Sequence, residues 1–270
     1  MNIVVCVKYV PDAQADRGFE PDRTTDRVGV DGLLSELDEY AVEEALKIVE
    51  AGSGTVTVLT MGPEQASTAV KKSLQMGADA GVHVLDDAIA GSDAVATSLV
   101  LAAAITKLGE ENAVDLVLTG MASTDGTMSV VPAMLAERLS LPQVTYASEV
   151  VVDGASADSA AGATVTIRRD GDTSTQQIAA RLPAVVSVTD QINEPRYPSF
   201  KGIMAAKKKP VTTWSLADLG VDASLVGLDA AWTSVDEVTA RPPREKGQVV
   251  TDDGDGGTKL AEFLIARKFV

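Results

Sequence analysis

The fold is decided by the stretch Thr55-Val56-Thr57-Val58-Leu59-Thr60-Met61-Gly62-Pro63. Its first seven residues are mostly β-branched or apolar, which favours a buried strand, and Gly62-Pro63 ends that strand. Apolar residues then recur at helical spacing as far as Gly77, where a glycine is typical of a helix C-terminus. A strand followed directly by an amphipathic helix indicates one unit of an alternating α/β fold.

The same alternation is present upstream. Residues 2–10 form a β-rich run, so we predict a buried first strand there. Between about 35 and 52, apolar residues share one face of a predicted helix that Ser35 or Asp38 could cap. The polar residues of this helix that we expect to face outward are Glu43, Glu44 and Lys47.

Downstream, further strands are predicted at 81–85, 114–119 and 182–189, with a helix over about 92–108. Because strands separated by helices imply right-handed crossovers, the predicted fold class is α/β. We expect a doubly wound, mostly parallel sheet in a Rossmann-like, adenine-nucleotide-binding, three-layer α/β/α arrangement. A small antiparallel addition is predicted from short strands at 149–152, 162–168 and 173–179.

The predicted domain organisation has three parts. We predict a nucleotide-binding α/β domain over residues 1–190, a partner-recognition loop over residues 191–210, and over residues 211–270 an extended C-terminal arm that wraps a partner subunit. After Pro210 no second core is apparent, because Trp214 and Trp232 lie among turn-like residues. A final helix is predicted to carry an apolar face, with Leu260, Phe263 and Leu264, and possible partners for that face are the chain's own domain or another subunit.

Composition excludes several classes of function. A formal net charge of -16 disfavours binding to nucleic acids and anionic membranes. The only cysteine is Cys6 and the only histidine is His83, so neither a disulfide framework nor a metal site is expected. Both residues lie in predicted strands and are interpreted as packed side chains rather than catalysts. No apolar run reaches membrane-spanning length and no secretory leader is recognised, so a cytoplasmic location is expected.

A ligand site is predicted in the segment from Gly120 to Ser129, directly after a strand. Ligands of open α/β sheets bind beyond the carboxyl ends of the strands. Two glycines allow close backbone approach, several hydroxyl groups can donate, and a following helix capped by Ser129 would direct free amides at an anion. An anion cradle and an ordinary polar turn both fit this composition.

The recognition loop contains the run Asn193-Glu194-Pro195-Arg196-Tyr197-Pro198-Ser199-Phe200-Lys201-Gly202-Ile203-Met204 followed by three lysines. Its two prolines and Gly202 oppose a strand or a continuous helix. Phe200 and Met204 are then hard to explain as core residues. The run is interpreted either as a docking loop with a basic patch or as a solvated connector.

These motifs together resemble the β subunit of electron transfer flavoprotein, in the family that includes FixA. The resemblance covers most of the chain, and the segments that carry it are 5–12, 38–46, 61–63, 75–79, 193–197 and 202–209. The last two are the most specific. The resemblance supports the nucleotide-binding fold and the docking interpretation of the recognition loop.

The resemblance implies an electron carrier without catalytic residues of its own. It implies a heterodimer with an α subunit that holds most of an FAD, while the β subunit holds a structural AMP. Electrons would come from acyl-CoA dehydrogenases of fatty acid β-oxidation and from other flavin dehydrogenases. They would leave to a quinone oxidoreductase.

The resemblance also assigns residues. The implied cofactor-binding residues are Cys6, Ser35, Leu37, Asp38, Met61, Gly120, Ser123, Thr124, Asp125, Gly126, Thr127, Met128, Ser129, Val130 and Val131. The implied partner-docking residues are Phe200 as apolar anchor, with Ile203, Met204, Lys207, Lys208 and Lys209.

Two alternatives stay open, and the first follows from a departure in the ligand loop. Many members have an acidic run and a Gln-Thr pair there, whereas this chain has Ser123-Thr124-Asp125-Gly126. Branches with a related Asp-Gly loop hold a second FAD in the AMP position and bifurcate electrons, which is one alternative. The other, from a different class, is a free-standing protein that binds ATP or AMP.

Overall fold

The computed structural model describes residues 1–15, 17–155, 160, 162–240, 242–243, 247 and 249–270. It divides into two compact units, Met1–Asp236 and Glu237–Val270. The first unit contains the sheet and its covering helices, and the described residues of the second contain one helix.

In the first unit the strands are β1 (Asn2–Cys6), β2 (Tyr9–Pro11), β3 (Gly32–Leu34), β4 (Thr55–Met61), β5 (Ala80–Val84), β6 (Leu116–Gly120), β7 (Gln143–Ala147), β8 (Glu149–Asp153), β9 (Thr164–Asp170), β10 (Thr175–Arg181), β11 (Ala184–Val188) and β12 (Val211–Trp214). The helices are α1 (Glu36–Ala51), α2 (Ser67–Met76), α3 (Ala94–Glu111), α4 (Val131–Leu139) and α5 (Phe200–Ala206), and the second unit contains α6 (Gly256–Ala266).

The central sheet has seven parallel strands in the order β12-β5-β4-β1-β6-β11-β7. The chain starts at β1, winds outward through β4 and β5, and then returns to place β6 on the other side of β1. This double winding confirms the predicted fold class. The predicted antiparallel addition is confirmed as well, as a sheet of order β10-β9-β8.

The core occupies both faces of the sheet because successive side chains of a strand point to opposite sides. Val5 and Leu118 belong to the cluster that packs under α1 and α2. Val4 and Val117, one residue earlier, belong to the cluster that packs under α3 and α4. Strands buried on both faces read as continuous β-branched runs, which is why their positions could be predicted.

The first β-rich run is divided. β1 ends at Cys6, and Tyr9–Pro11 pairs instead with Gly32–Leu34 as a small antiparallel ribbon. The division brings Lys8, which lies between the two strands, to the carboxyl edge of the central sheet, where the amide of Val7 still donates to the Leu59 carbonyl.

The prediction for the outer face of α1 is wrong for two residues. Glu43 and Glu44 are buried, and only Lys47 of the three polar residues is exposed. Charged residues are normally exposed unless they are paired. Both glutamates have partners more than a hundred residues away in sequence, on the recognition loop.

The interpretation of Trp214 as part of a turn-like segment is also wrong. Val211–Trp214 is the edge strand β12, which pairs in parallel with β5. The first three of its residues are exposed, so the strand shows no buried alternation that a sequence pattern could reveal. Trp214 packs against the core, with the Lys107 ammonium 5.5 Å from the centre of its ring.

The predicted C-terminal helix is confirmed as α6, within the second unit. It carries the expected apolar residues Leu260, Phe263 and Leu264. Among the described residues, none of the helices is both long enough and apolar enough to cross a membrane.

Candidate functional site

The candidate ligand site lies where three neighbouring parallel strands end. Cys6 ends β1, Met61 ends β4 and Gly120 ends β6, and these strands are adjacent in the sheet. The chain reverses its winding direction between β1 and β6, and in open α/β sheets ligands bind in the crevice at such a switch point. The structure therefore brings together the strand-end residues implied by the family resemblance.

Gly120 is required at the end of β6 by a close approach to α1. A Cβ atom at this position would lie 2.7 Å from the Leu37 carbonyl oxygen and 2.7 Å from the Asp38 Oδ1. No side chain fits at such distances. The glycine thus lets the loop after β6 pass directly over the beginning of α1, rather than serving only the approach of a ligand.

Asp38 is a buried carboxyl at this edge, with 6% of its surface exposed. Its Oδ2 accepts a hydrogen bond of 2.8 Å from the Lys8 backbone amide. Burial raises the pKa of Asp38 to about 7, although the backbone bond and charge of Lys8 and the Gly120 amide oppose the rise. Asp38 therefore fixes the start of α1 against the end of β1 instead of capping the helix.

Ser35 occupies the cap position of α1 but its side chain does not cap the helix. Its backbone amide donates to the Lys8 carbonyl at 2.9 Å, and its hydroxyl is buried without a hydrogen-bond partner among the described residues. The Thr119 hydroxyl, one residue before Gly120, is also buried without a hydrogen-bond partner among the described residues. Buried polar groups are normally satisfied, so these two hydroxyls are available to a polar ligand at this edge.

Cys6 is not a reactive thiol. Burial, followed by the negative charge of Asp38, raises its pKa to about 12. The thiolate is the nucleophilic form of cysteine, and it is absent at neutral pH with such a pKa. Cys6 therefore behaves as a small buried side chain, as its place in β1 indicated.

The ligand loop is organised around Asp125, whose side chain is 3% exposed. Its two carboxylate oxygens lie 2.9 Å from the Lys8 Nζ and 2.5 Å from the Arg27 Nη2. Burial alone would raise the pKa of Asp125, but the charges of Lys8 and Arg27 outweigh it and lower that pKa. Oδ1 also accepts from the Gly126 amide at 2.7 Å, so this carboxylate joins the loop to its own backbone and to two cations.

Sequence reasoning missed three cations that hold this loop. Besides Lys8 and Arg27, Arg17 donates to the Thr124 carbonyl at 2.5 Å. Lys8 carried a usable signal, since it follows a strand that ends at the ligand edge. Arg17 and Arg27 lie in a polar segment without periodicity, and only a search for partners of Asp125 would have indicated them.

The second half of the loop leads into α4. Thr127 and Ser129 have positive φ values of 49° and 57°, which turn the backbone sharply before the helix. Ser129 is therefore not the helix cap as predicted, and Val130 occupies that position. Pro132 lies in the first turn as expected, where its missing amide costs nothing. The free amides of this first turn remain a site for an anionic group.

The remaining cofactor residues implied by the resemblance are Met61, Leu37, Ser123, Met128 and Val131, the last of which begins α4 and packs against the core. Met61 and Leu37 are half-buried at the same edge. The Ser123 hydroxyl lies 3.4 Å from the Lys8 Nζ, and Met128 is 54% exposed. The edge thus combines apolar side chains with hydroxyl groups, cations and a helix N-terminus, which suits a group with a flat apolar part and an anionic part.

His83 is a packed residue, in agreement with its interpretation from the sequence. It is 3% exposed and its Nε2 lies 3.0 Å from the Gly62 carbonyl oxygen. In the part of the chain that the structure describes, His, Cys, Asp and Glu form no group that could hold a metal ion.

The recognition loop (residues 191–210) contains a helix that was not predicted. Phe200–Ala206 form α5, which the Ser199 hydroxyl caps by accepting from the Gly202 amide at 3.0 Å. The expectation that neither helix nor strand fits this run is therefore wrong. Its two prolines precede the helix and do not interrupt it.

The outer face of α5 is apolar and exposed. Phe200 is 80% exposed, Met204 47% and Ile203 36%. Single exposed apolar residues are common, but a group of three on one short helix is typical of an interaction surface. The structure thus places the three apolar docking residues implied by the resemblance on one surface.

The inner side of the loop is attached to α1 and α2. Arg196 donates to Glu43 and Glu50, and Asn193 donates to Glu44 at 3.0 Å. These contacts explain why Glu43 and Glu44 are buried. A Cβ on Gly202 would lie 2.5 Å from the Gln75 carbonyl oxygen, so α5 lies directly against the end of α2.

The three lysines after α5 differ in their surroundings. Lys207 and Lys208 are exposed. The Lys209 Nζ donates to the carbonyl oxygens of Leu74 at 3.2 Å and Gly77 at 2.8 Å, and thereby satisfies the C-terminal end of α2. The ammonium group of Lys209 is thus engaged within the protein.

The fold and these sites define a doubly wound α/β protein with an anion-suited ligand edge and a separate exposed docking surface. The family model described as "Electron transfer flavoprotein domain" matches residues 23–219. The chain therefore belongs to the electron transfer flavoprotein family, among its β subunits.

Similar proteins cover the chain along its whole length. It is 46% identical to "Electron transfer flavoprotein subunit beta" of Mycobacterium leprae, across 100% of this chain and 99% of the relative. It is 35% identical to "Protein FixA" of Azotobacter vinelandii, across 100% of this chain and 95% of the relative. It is 36% identical to "Caffeyl-CoA reductase-Etf complex subunit CarD" of Acetobacterium woodii, across 99% and 97%. The family confirms the resemblance read from the sequence and supports a role in electron transfer.

We expect Asp38→Asn to flatten the pH dependence of stability. Burial raises the pKa of Asp38 from 3.8 to about 7, so the native state keeps a proton that the unfolded chain loses between those values. The free energy of unfolding of the wild type should therefore fall as pH rises from about 4 to 7, by on the order of a few kcal/mol, and then level off. Urea denaturation at several pH values measures the slope.

Asp153→Asn, which changes an exposed carboxylate, is the matched control and should keep the wild-type slope. Equal slopes for Asp38→Asn and the wild type would contradict the assignment of a buried proton to Asp38.

Proposed function

We propose that this chain is the β subunit of a heterodimeric electron transfer flavoprotein in the cytoplasm. In this proposal it binds AMP at the edge formed by β1, β4 and β6 and docks partner flavoproteins through α5. Acyl-CoA dehydrogenases of fatty acid β-oxidation and other flavin dehydrogenases supply electrons, and a quinone oxidoreductase accepts them. An α subunit holds most of the FAD.

The observation that carries the proposal is the exposed apolar face of α5 on a loop attached to α1 by a half-buried ion pair and a hydrogen bond. A solvated connector does not need Phe200 at 80% exposure on a backbone fixed to two helices. The cost of ordering an interface residue falls when the residue is fixed before binding. An anchor for transient partners has these two properties.

The ligand edge fits a nucleoside monophosphate. The first turn of α4 and the turn at Thr127 and Ser129 offer backbone amides to a phosphate. The unpartnered hydroxyls of Ser35 and Thr119 and the half-buried Met61 suit the remainder of the nucleotide. Asp125 already occupies Lys8 and Arg27, so these cations hold the loop rather than a second or third phosphate.

The chain contributes binding and docking rather than bond-making. Bound FAD supplies the redox chemistry of such a carrier. Cys6 is protonated and buried, and His83 is packed against the Gly62 carbonyl, so neither is placed as a catalyst. The role of this subunit is to hold AMP, to supply part of the protein shell around the FAD and to dock electron donors close to that FAD.

Electron bifurcation is the second candidate. The observation in its favour is the similarity to CarD, which is named as a subunit of a caffeyl-CoA reductase-Etf complex. The loop Ser123-Thr124-Asp125-Gly126 also resembles the Asp-Gly loops of branches that hold a second FAD. In this case the ligand edge holds FAD in place of AMP.

Nucleotide content separates these functions. We expect the protein, coexpressed with its α subunit and purified as a yellow heterodimer, to release one FAD and one AMP on denaturation. Chromatography of the released nucleotides gives the ratio. Two FAD per heterodimer would instead establish the bifurcating form, and a colourless monomer that hydrolyses ATP would overturn both.

We expect Phe200→Ala to weaken docking of an acyl-CoA dehydrogenase without loss of flavin. Loss of a buried aromatic anchor costs on the order of 2 kcal/mol in docking free energy, which corresponds to an increase in KM of about thirtyfold. Steady-state electron transfer with the heterodimer as varied substrate measures it. Val151→Ala changes an exposed apolar residue on β8, and as the control it should leave KM unchanged. Flavin loss in Phe200→Ala would mean that the side chain supports the fold.

Removing the exposed charges of the loop should slow association. We expect Lys207→Gln combined with Lys208→Gln to lower the rate constant for association with the dehydrogenase and to reduce its salt dependence, because rim charges act mainly by steering. Stopped-flow measurements at several ionic strengths test this. A charge-matched control combines Arg168→Gln and Arg181→Gln, two exposed arginines of the antiparallel sheet. An unchanged salt slope would exclude electrostatic steering by this pair.

A further inference from the structure

The guanidinium of Arg196 makes the most extensive ion pair of the described residues. Its Nε and Nη2 lie 2.7 Å and 3.0 Å from the two carboxylate oxygens of Glu43. Its Nη1 and Nη2 lie 2.6 Å and 2.9 Å from the two carboxylate oxygens of Glu50, two helical turns further along α1 on the same face. Its backbone amide also donates to Glu43 at 3.1 Å. One side chain thus joins the recognition loop to α1 by two bidentate contacts.

The geometry makes this attachment directional. A bidentate contact fixes the plane of the guanidinium as well as its position. Glu43 is 6% exposed, so this contact is shielded from water, whereas Glu50 lies at the rim. The pairing with Glu50 and Glu43 raises the pKa of Arg196, so the charge is permanent. An exposed ion pair contributes little to stability, but a half-buried bidentate pair can define an orientation.

Arg196 lies four residues before Phe200, the first residue of α5. Two further contacts attach α5 to the end of α2. Gly202 lies against the Gln75 carbonyl, and Lys209, after the helix, donates to the last carbonyls of α2. The loop therefore spans α1 and α2, and Arg196 is the attachment nearest to the exposed Phe200 on the N-terminal side.

We propose that Arg196 is a positioning residue for electron transfer, which fixes the direction in which α5 presents Phe200 to a partner flavoprotein. This inference rests on the proposed docking function of α5. It assigns no contact between Arg196 and the partner. Both carboxylates take part in this positioning, with Glu43 as the buried partner of Arg196 and Glu50 as the exposed one.

The kinetic test uses the heterodimer with an acyl-CoA dehydrogenase as donor. Arg196→Gln should raise the KM for the heterodimer by about tenfold and leave kcat near the wild-type value, because the loop must then be ordered at the moment of docking. Arg196→Lys keeps the charge but not the bidentate geometry, so its KM should be close to that of Arg196→Gln and not to the wild-type value. Wild-type KM in Arg196→Gln would overturn the proposal.

Arg168 provides a matched control. It also bonds two carboxylates, Glu149 and Asp170, each at 3.0 Å, but it lies on β9 in the antiparallel sheet. Arg168→Gln removes a comparable arginine and should leave KM unchanged. FAD and AMP content, measured on every variant, separates positioning from unfolding, since a purely structural defect lowers cofactor content together with kcat.

A double-mutant cycle tests whether Arg196 acts through Phe200. If it does, Phe200→Ala combined with Arg196→Gln should have about the KM of Phe200→Ala alone, because an anchor that is absent cannot be misdirected. Additive effects would overturn the proposal, because Arg196 would then contribute independently of the anchor.

Hydrogen exchange keeps this inference distinct from the docking function. In Arg196→Gln the amides of residues 197–206 should exchange faster than in the wild type and in Arg168→Gln, whether or not α5 docks a partner. Unchanged exchange would overturn the positioning role. Faster exchange with no effect of Phe200→Ala on KM would instead show that Arg196 orders the loop but that α5 is not the docking surface.

Discussion

A buried carboxyl group needs a hydrogen-bond donor, a cation or a proton, and helix α1 buries Asp38, Glu43 and Glu44. Asp38 meets the need with the Lys8 amide and a raised pKa, Glu43 with Arg196, and Glu44 with Asn193. The first contact belongs to the ligand edge and the other two to the recognition loop. One helix therefore supports both the ligand edge and the recognition loop. Truncating Arg196 would leave the buried Glu43 without its cation, which costs more than the loss of an exposed pair, whereas Glu44 would keep the Lys47 ammonium at 3.3 Å if Asn193 were truncated.

The buried Asp125 of the ligand edge meets the same need with cations, whereas Asp38 meets it with a proton. Asp125 stays ionised because Lys8 and Arg27 surround it, and the loop that it holds continues into the first turn of α4. The charged side chains around the loop are thus paired with each other, so the amides and hydroxyls remain to meet a ligand. This division suits a site that holds a structural nucleotide, since the binding groups are fixed before the ligand arrives.

The sequence predicts the part of the fold that local patterns determine. β4 and the helices α2 and α3 follow from β-branched runs and helical spacing, and the ligand loop after β6 follows from the rule for open sheets. Cys6 and Met61, at the ends of the neighbouring strands, are implied only by the family resemblance. The burial of Glu43 could not be predicted in this way, because its partner Arg196 is 153 residues away. α5 was missed because seven residues between a proline and a lysine run give little periodicity. The same reason applies to Arg17 and Arg27, whose role depends on the distant Asp125.

The two aspartates at the ligand edge also determine how many protons that edge carries. Below pH about 7, Asp38 keeps a proton while Asp125 does not, so one neutral acid and one carboxylate lie near the three cations Lys8, Arg27 and Arg17. The group then has an excess of two positive charges, and above that pH the excess falls to one. A phosphate at this edge would therefore meet a stronger attractive local field in mildly acidic than in alkaline surroundings, in a protein whose overall charge is -16.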